Sequence, residues 1–177
     1  MIKLGKSVSS EDAICQAINA PVSFQGHGDE RGTTYAIHMA IGSHSRCLLR
    51  LLLKHKANPG VEATLQGEYH HDAVLEAAWY GNVEALECLI EAHGGDKTAV
   101  DTSKTNRAGK TALHLAAVHN HVDLARKLVN DLGADVRALD AQGKSPMDDA
   151  LEFPGQKQGP MMEVLFDGTL SQLVKVA

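Results

Sequence analysis

One pattern of two short helices returns along this chain, and this repetition constrains the fold more than any other feature. The clearest copy reads TALHLAAVHNHVDLARKLVNDLG, starting at Thr111. Its apolar residues Leu113, Ala116 and Ala117 are three and four positions apart, which places them on one face of a first helix. A second helix is predicted to end before Gly133, a residue suited to the left-handed position beyond a helix end. The copy is therefore a helix–turn–helix hairpin.

Two further copies align with this hairpin without gaps as far as the end of the second helix. They read YAIHMAIGSHSRCLLRLLLKH, from Tyr35, and DAVLEAAWYGNVEALECLIEA, from Asp72. The turns between the two helices fall at His44, Gly81 and Asn120, so the copies follow each other after 37 and 39 residues. A repeat of this length predicts a stack of supersecondary units rather than a globular core.

The ends of such a stack expose apolar faces unless another segment covers them. A fourth copy begins at Ser145–Pro146, a good N-cap and first-turn pair, but loses the register after its first helix. The segment SSEDAICQAIN predicts a capping helix within residues 1–31. Residues 153–177 are expected to form a C-terminal capping segment, which leaves residues 32–152 for the repeats.

The third copy resembles the ankyrin repeat, whose family pattern reads G-x-TPLHLAA, then GH, LL and GADV. The residues that carry the resemblance are GKTALHLAA, HNHVDLARKLV and GADV, and the likeness extends over about residues 32–151. It implies an all-α fold, an ankyrin-repeat α-solenoid of about three full repeats and a partial fourth with finger loops. At most a couple of short strands are expected, at these fingers.

In the family, the histidine of the TPLH motif ties the loop backbone together. His38 and His114 keep this histidine, whereas Leu75 and Asp148 replace it in the second and fourth copies. The resemblance therefore implies loop-binding histidines in the first and third repeats only.

The resemblance also implies a protein–protein interaction module, acting as a scaffold, adaptor or inhibitor without enzymatic activity. In the family, one face of the first helices and the finger loops line a concave groove that grips protein partners. Helical spacing assigns Glu76, Trp79, Tyr80, Leu115, Val118 and His119 to that partner-binding surface, and the resemblance adds Arg107 and Lys110 of the finger loop.

Trp79 is the only tryptophan of the chain, and it leaves two interpretations open. Aromatic side chains are enriched among binding hot spots, which favours an exposed anchor in the groove. The alternative is a structural side chain that folds over a neighbouring helix or finger.

Ten histidines raise the alternative of a histidine-based, metal-dependent enzyme. The densest clusters are His70–His71–Asp72 and His119–Asn120–His121, and neither has the ligand spacing of a zinc site. Asp72 is more simply an N-cap. Cys47 and Cys88 fall on the apolar faces of second helices, where cysteine is usually a small buried residue. We therefore expect no catalytic residue, no metal and no cofactor.

Composition and charge indicate the kind of partner and the location of the protein. The net charge of −5, from 17 basic and 22 acidic residues, disfavours nucleic acid as a partner. Neither a signal-peptide core nor a membrane-spanning run is apparent, and three scattered cysteines suit a reducing compartment. We expect an intracellular protein, cytoplasmic or nuclear, without membrane insertion, that is a monomer or part of a hetero-complex. A regulatory subunit of a larger assembly is the second interpretation.

Overall fold

The fold is a stack of paired helices. The structure, a computed structural model, describes residues 10–25, 31–65, 69–152 and 158–176. Its helices are α1 (Ser10–Ile18), α2 (Ala36–Gly42), α3 (Arg46–Lys54), α4 (Ala73–Tyr80), α5 (Val83–Ala92), α6 (Ala112–Val118), α7 (Val122–Asn130), α8 (Pro146–Leu151) and α9 (Gln158–Val176). Its strands are β1 (Val22–Gln25), β2 (Arg31–Thr34), β3 (Ala63–Leu65) and β4 (Tyr69–His71).

The three predicted hairpins are α2–α3, α4–α5 and α6–α7. Their first helices stack in the order α2, α4, α6 and α8, and their second helices stack in the order α3, α5, α7 and α9. These two layers confirm the all-α solenoid. Because α8 packs on α6 and α9 packs on α7, α9 lies where the second helix of a fourth hairpin would lie.

Small side chains set the distance between the stacked helices. Ala77, Ala78 and Ala116 are fully buried, and the leucines of the second helices, such as Leu86 and Leu124, fill the space behind them. At the last repeat a glycine has the same role, since a Cβ on Gly168 would lie 2.7 Å from Cγ1 of Val129. An aliphatic, alanine-rich core is therefore sufficient for a chain with few aromatic residues.

The caps and turns follow the sequence patterns. The Asp72 carboxylate accepts hydrogen bonds from the backbone N–H groups of Val74 and Leu75, each at 3.0 Å. Thr111 and Ser145 cap α6 and α8. The three inter-helix turns all require positive φ: 52° at His44, 65° at Gly81 and 56° at Asn120.

The loop-binding histidines lie where the resemblance implied. Nε2 of His38 is 2.9 Å from the backbone oxygen of His71, and Nε2 of His114 is 3.0 Å from that of Lys144. Each imidazole therefore ties its own repeat to the start of the following one.

The finger loops contain more strand than the sequence predicted. Four strands form one antiparallel sheet in the order β1-β2-β3-β4, where at most a couple of strands were expected. The first finger supplies β1 and β2, and the second supplies β3 and β4. Thr64 pairs with Thr33 on one side and with His70 on the other. Stacking brings successive fingers side by side, so their free backbone groups pair across the repeats.

Within the described residues, part of α3 stays exposed at the first repeat. Helix α1 is present, and Asn19 after it donates from Nδ2 to the backbone oxygen of Lys56 at 3.1 Å. Nevertheless Leu48 and Leu51 of α3 remain 43% and 52% exposed. Cys47, predicted to be buried, is exposed as well, because it lies on this terminal side of α3 where a preceding repeat would stack.

Candidate functional site

The exposed side of the first helices and the finger loops beside it form the candidate site, which we call the groove face. Two large apolar side chains of neighbouring repeats stand out there: Met39 on α2 is 58% exposed and Tyr80 at the end of α4 is 43% exposed. The Tyr80 ring lies against Gly42 of the first repeat, where a Cβ atom would be 3.3 Å from its ring carbons. Tyr80 thus spans two repeats while keeping an exposed edge.

Trp79 is packed, which favours the structural interpretation of this residue. Its ring centroid lies 4.3 Å from that of His119, with the planes at 68°, and 5.4 Å from that of His71. The side chain is half-buried and contacts the hydrophobic core. Of the two interpretations, this geometry favours structural packing, because imidazole rings of the second finger and the third repeat lie against the indole.

His121 completes this group, which we call the imidazole–indole cluster (His71, Trp79, His119 and His121). Nε2 of His121 lies 3.1 Å from the backbone oxygen of Trp79, and its ring centroid is 5.8 Å from that of His119. One repeat earlier Asn82 occupies the same N-cap position, and its Nδ2 donates to the backbone oxygen of Ile41 at 2.8 Å. Burial lowers the pKa of His119, and the neighbouring charges of His121 and His71 lower that pKa further.

Glu76 and Lys110 contact other side chains of the repeats instead of presenting free polar groups. The Glu76 side chain is 16% exposed, and its Oε2 lies 3.2 Å from Nδ1 of His71. Nζ of Lys110 lies 2.6 Å from Oδ2 of Asp149 and 3.1 Å from Oδ2 of Asp140. The Lys110 side chain is 20% exposed, whereas the two carboxylates are almost fully buried. Lys110 therefore joins the third finger to the fourth repeat.

The remaining candidates differ in accessibility. Leu115 is 2% exposed, so its assignment to a partner-facing surface is corrected; α4 and α8 pack against α6 from both sides. Val118 and His119 are half-buried at the end of α6, and Arg107 is exposed in the third finger. Tyr80 and Arg107 thus keep the accessibility that the prediction requires.

Met39 was absent from the predicted site although the sequence held a signal for it. It occupies the register position of Glu76 and Leu115 in the first repeat. The apolar side chain is exposed at this position, where α2 begins the layer of first helices and, within the described residues, stacks on α4.

In the described part of the chain, the side chains that could bind a metal or act as nucleophiles lie apart from one another. Among the residues that the structure describes, three or more His, Cys, Asp or Glu side chains nowhere come together in a way that could hold a metal ion. Cys15, Cys47 and Cys88 are free thiols, and Cys88 is buried as predicted. In the same part of the chain, every helix is too short or too polar to cross a membrane.

Comparisons with known proteins agree with this geometry. A family model of ankyrin repeats in three copies matches residues 74–169, more than half of the chain. Human protein phosphatase 1 regulatory subunit 27 is 35% identical over 99 residues, which cover 56% of this chain and 54% of that relative. The human ankyrin repeat domain-containing protein SOWAHB is 33% identical over 69 residues, covering 39% of this chain and 9% of that relative.

A third relative is an enzyme, the rat mitochondrial liver glutaminase isoform. It is 32% identical over 80 residues, covering 45% of this chain but 12% of the enzyme, so the match carries no catalytic assignment. The chain spans less than two thirds of each of these three relatives. The match to the family model and the two stacked layers of helical hairpins together establish that this chain belongs to the ankyrin-repeat family.

Proposed function

We propose that this chain binds a protein partner through the groove face, with Tyr80 and Met39 as its anchors. The observation that carries the proposal is the exposure of both side chains on neighbouring first helices, 43% and 58%. Large apolar side chains exposed together on a folded surface mark interaction sites. Tyrosine is also among the residues that dominate binding energy at interfaces.

The contact between Tyr80 and Gly42 supports this assignment. A ring that rests on the backbone of the preceding repeat has little side-chain freedom left to lose when a partner binds. Burial raises the pKa of the Tyr80 phenol, and the charge of Glu76 raises that pKa further, so the hydroxyl is a neutral hydrogen-bond donor at physiological pH.

Arg107 is the charged residue of the proposed surface. It is exposed in the third finger, the loop that precedes α6. Glu76, Lys110 and Leu115 are instead assigned a supporting role, since their side chains are held by contacts within the repeats.

The proposal describes a binding module without catalytic activity, a metal or a cofactor, inside the cell. Three free cysteines fit a reducing compartment, and the negative net charge fits a protein rather than a nucleic-acid partner. Elemental analysis of the purified protein tests directly whether a metal is bound. Stoichiometric zinc would contradict this account.

Affinity capture with matched variants tests the binding surface. The wild type, Tyr80→Ala, Met39→Ala and Arg126→Ala would each be used as bait in a lysate of the native cells, with mass spectrometry of the captured proteins. Arg126 is exposed on α7, in the layer of second helices, and serves as the control. A partner retained by Arg126→Ala and lost from both other variants supports the proposal; a partner retained by all four baits contradicts it.

A second candidate function is that of a regulatory subunit of a protein phosphatase. The alignment with protein phosphatase 1 regulatory subunit 27 extends over 54% of that relative, far more than in the other two. Binding to the catalytic subunit of protein phosphatase 1, measured by calorimetry, checks this candidate. Saturable binding that Tyr80→Ala weakens supports it, and undetectable binding at micromolar concentrations excludes it.

A further inference from the structure

The imidazole–indole cluster carries an inference beyond the binding surface. Trp79 lies between His71, which ends β4, and His119, which ends α6, with ring centroids 5.4 Å and 4.3 Å away. His121 lies on the other side of His119, at 5.8 Å. Four rings from the second finger, the second repeat and the third repeat therefore meet at one point of the groove face.

The surroundings of His119 favour a neutral imidazole. Nε2 of His119 is buried and makes no hydrogen bond within the described part of the chain. A proton added to this nitrogen therefore has no acceptor while the cluster is closed. Burying an N–H group without an acceptor is costly, and burying a charge in that way is costlier.

The helices packed against α6 are α4, α7 and α8. Glu76 of α4 is bonded to Nδ1 of His71, and Asp149 of α8 is bonded to Nζ of Lys110. The start of α7 supplies another imidazole, His121. The charges of His121 and His71 both oppose protonation of His119.

We propose that the imidazole–indole cluster is a pH-sensitive latch that holds Trp79 away from the groove face while His119 is neutral. Protonation of His119 puts a positive charge on an imidazole whose buried Nε2 has no acceptor among the described residues, so the rings separate and the indole is released toward solvent. The released indole lies beside Tyr80 and adds an aromatic anchor to the partner-binding surface. In this last step, the inference rests on the proposed function.

The direction of the pH dependence follows from the environment of His119. Burial and the neighbouring imidazoles lower its pKa below the ordinary value of 6.5, so the closed cluster is favoured at neutral pH and above. The stability that the closed cluster contributes is lost as the pH falls below 6.5 and levels off below the lowered pKa. The latch is thus shut in neutral solution and opens under mild acid.

The single tryptophan provides a measurement that needs no partner. Acrylamide, which is uncharged, is used to quench the emission of Trp79 in the full chain between pH 7.5 and pH 5, with far-UV circular dichroism recorded in parallel. We expect the quenching constant to rise about twofold with a midpoint below pH 6.5, while the helical signal stays constant. A constant quenching constant, or a rise that coincides with loss of helix, would overturn the latch.

Two variants assign the transition to the cluster, and His55→Gln, an exposed histidine outside it, is the control. His119→Gln should lose most of the rise in quenching. If that variant unfolds, His121→Asn serves instead, because Asn82 shows that asparagine at this position can donate to a backbone oxygen of the preceding repeat. This variant removes a charge that lowers the pKa of His119, so the midpoint should move to higher pH. A transition unchanged in the folded variants contradicts the proposal, whereas one lost in His119→Gln or shifted in His121→Asn, but kept in His55→Gln, supports it.

Failure of the latch and failure of the proposed function give different results. If quenching is pH-dependent but Tyr80→Ala leaves partner capture unchanged, the latch stands and the groove assignment falls. If capture depends on Tyr80 but quenching is constant with pH, the groove assignment stands and the latch falls.

Discussion

The rings of Trp79 and His119 lie edge to face, with their centroids 4.3 Å apart. This contact joins the second repeat to the third on the groove face. Aromatic pairs of this geometry contribute stability beyond the area that they bury. Tyr80, the next residue, is turned toward the first repeat and remains 43% exposed. The two adjacent aromatic residues therefore differ: Trp79 packs against its neighbours, whereas Tyr80 is the residue that we propose for binding.

Alanine substitutions separate these roles. Trp79→Ala should lower the free energy of unfolding by about 1–3 kcal/mol, since it removes a half-buried indole from between two repeats. Tyr80→Ala should lower it by less than about 1 kcal/mol, as is usual for exposed side chains. Urea unfolding followed by circular dichroism measures both. Equal losses for the two variants would show that the division is wrong.

A second prediction concerns the turn between the two helices of the first repeat. His44 adopts a φ of 52°, which costs a residue with a Cβ about 1–2 kcal/mol. His44→Gly should therefore raise the free energy of unfolding by about 1 kcal/mol. Ser43→Gly is the control, since Ser43 has a φ of −83°. Glycine there adds freedom to the unfolded chain and removes the hydrogen bond from Oγ of Ser43 to the backbone oxygen of Ala40, so it should destabilise the fold. Stabilisation by both substitutions, or by neither, contradicts the explanation.

Replacing the glycine of the second turn by a residue with a Cβ should destabilise the fold. Gly81 has a φ of 65°, and a Cβ there would lie 2.5 Å from Nδ1 of His121. Gly81→Ala should therefore lower the free energy of unfolding by more than about 1 kcal/mol. The same urea titration measures it, and an unchanged midpoint would be incompatible with the close approach of this turn to the third repeat.

The ion pair of Lys110 should contribute more to the stability of the fold than an exposed ion pair does. Lys110→Ala leaves the carboxylate of Asp149, 3% exposed, without its ammonium partner, and should cost about 3–5 kcal/mol. Lys97→Ala is the control, because Lys97 and Asp131 are 49% and 39% exposed and their pair should contribute less than about 1 kcal/mol. Similar losses in the two variants would mean that burial of the Asp149 pair has no energetic consequence.

Two buried histidines should make stability depend on pH. Burial lowers the pKa values of His38 and His114 below the ordinary 6.5, so the unfolded chain binds more protons than the folded one beneath that pH. Stability should therefore fall between pH 7.5 and pH 5.5. His38→Gln cannot titrate and can still donate to the carbonyl of His71, so it should show a smaller fall. An equal fall in wild type and variant would assign the effect to other groups.

The sequence predicted the helices well because its signals there are local. Apolar spacing at Leu113, Ala116 and Ala117 indicated the packed face, and Thr111, Asp72 and Ser145 indicated the helix starts. The fingers could not be predicted in the same way, since the pairing of Thr33 with Thr64 depends on two repeats being stacked.

The candidate site was predicted only in part for a related reason. Helical spacing assigns a face to Leu115 and Trp79, but it does not say what the neighbouring repeat places over that face. Leu115 is covered by the helices on either side of α6, and Trp79 by His71 and His119. The exposure of Met39 likewise depends on its position in the first helix of the stack.

The most direct test of the central claim is site-specific photo-crosslinking from the groove face. A benzophenone amino acid would replace Tyr80 in one variant and Arg126 in another, and each would be irradiated in the native cells. We expect one protein to crosslink from position 80 and not from position 126, and the additional substitution Met39→Glu to abolish that crosslink. Crosslinking of the same protein from both positions, or from position 80 despite Met39→Glu, would contradict binding through the groove face.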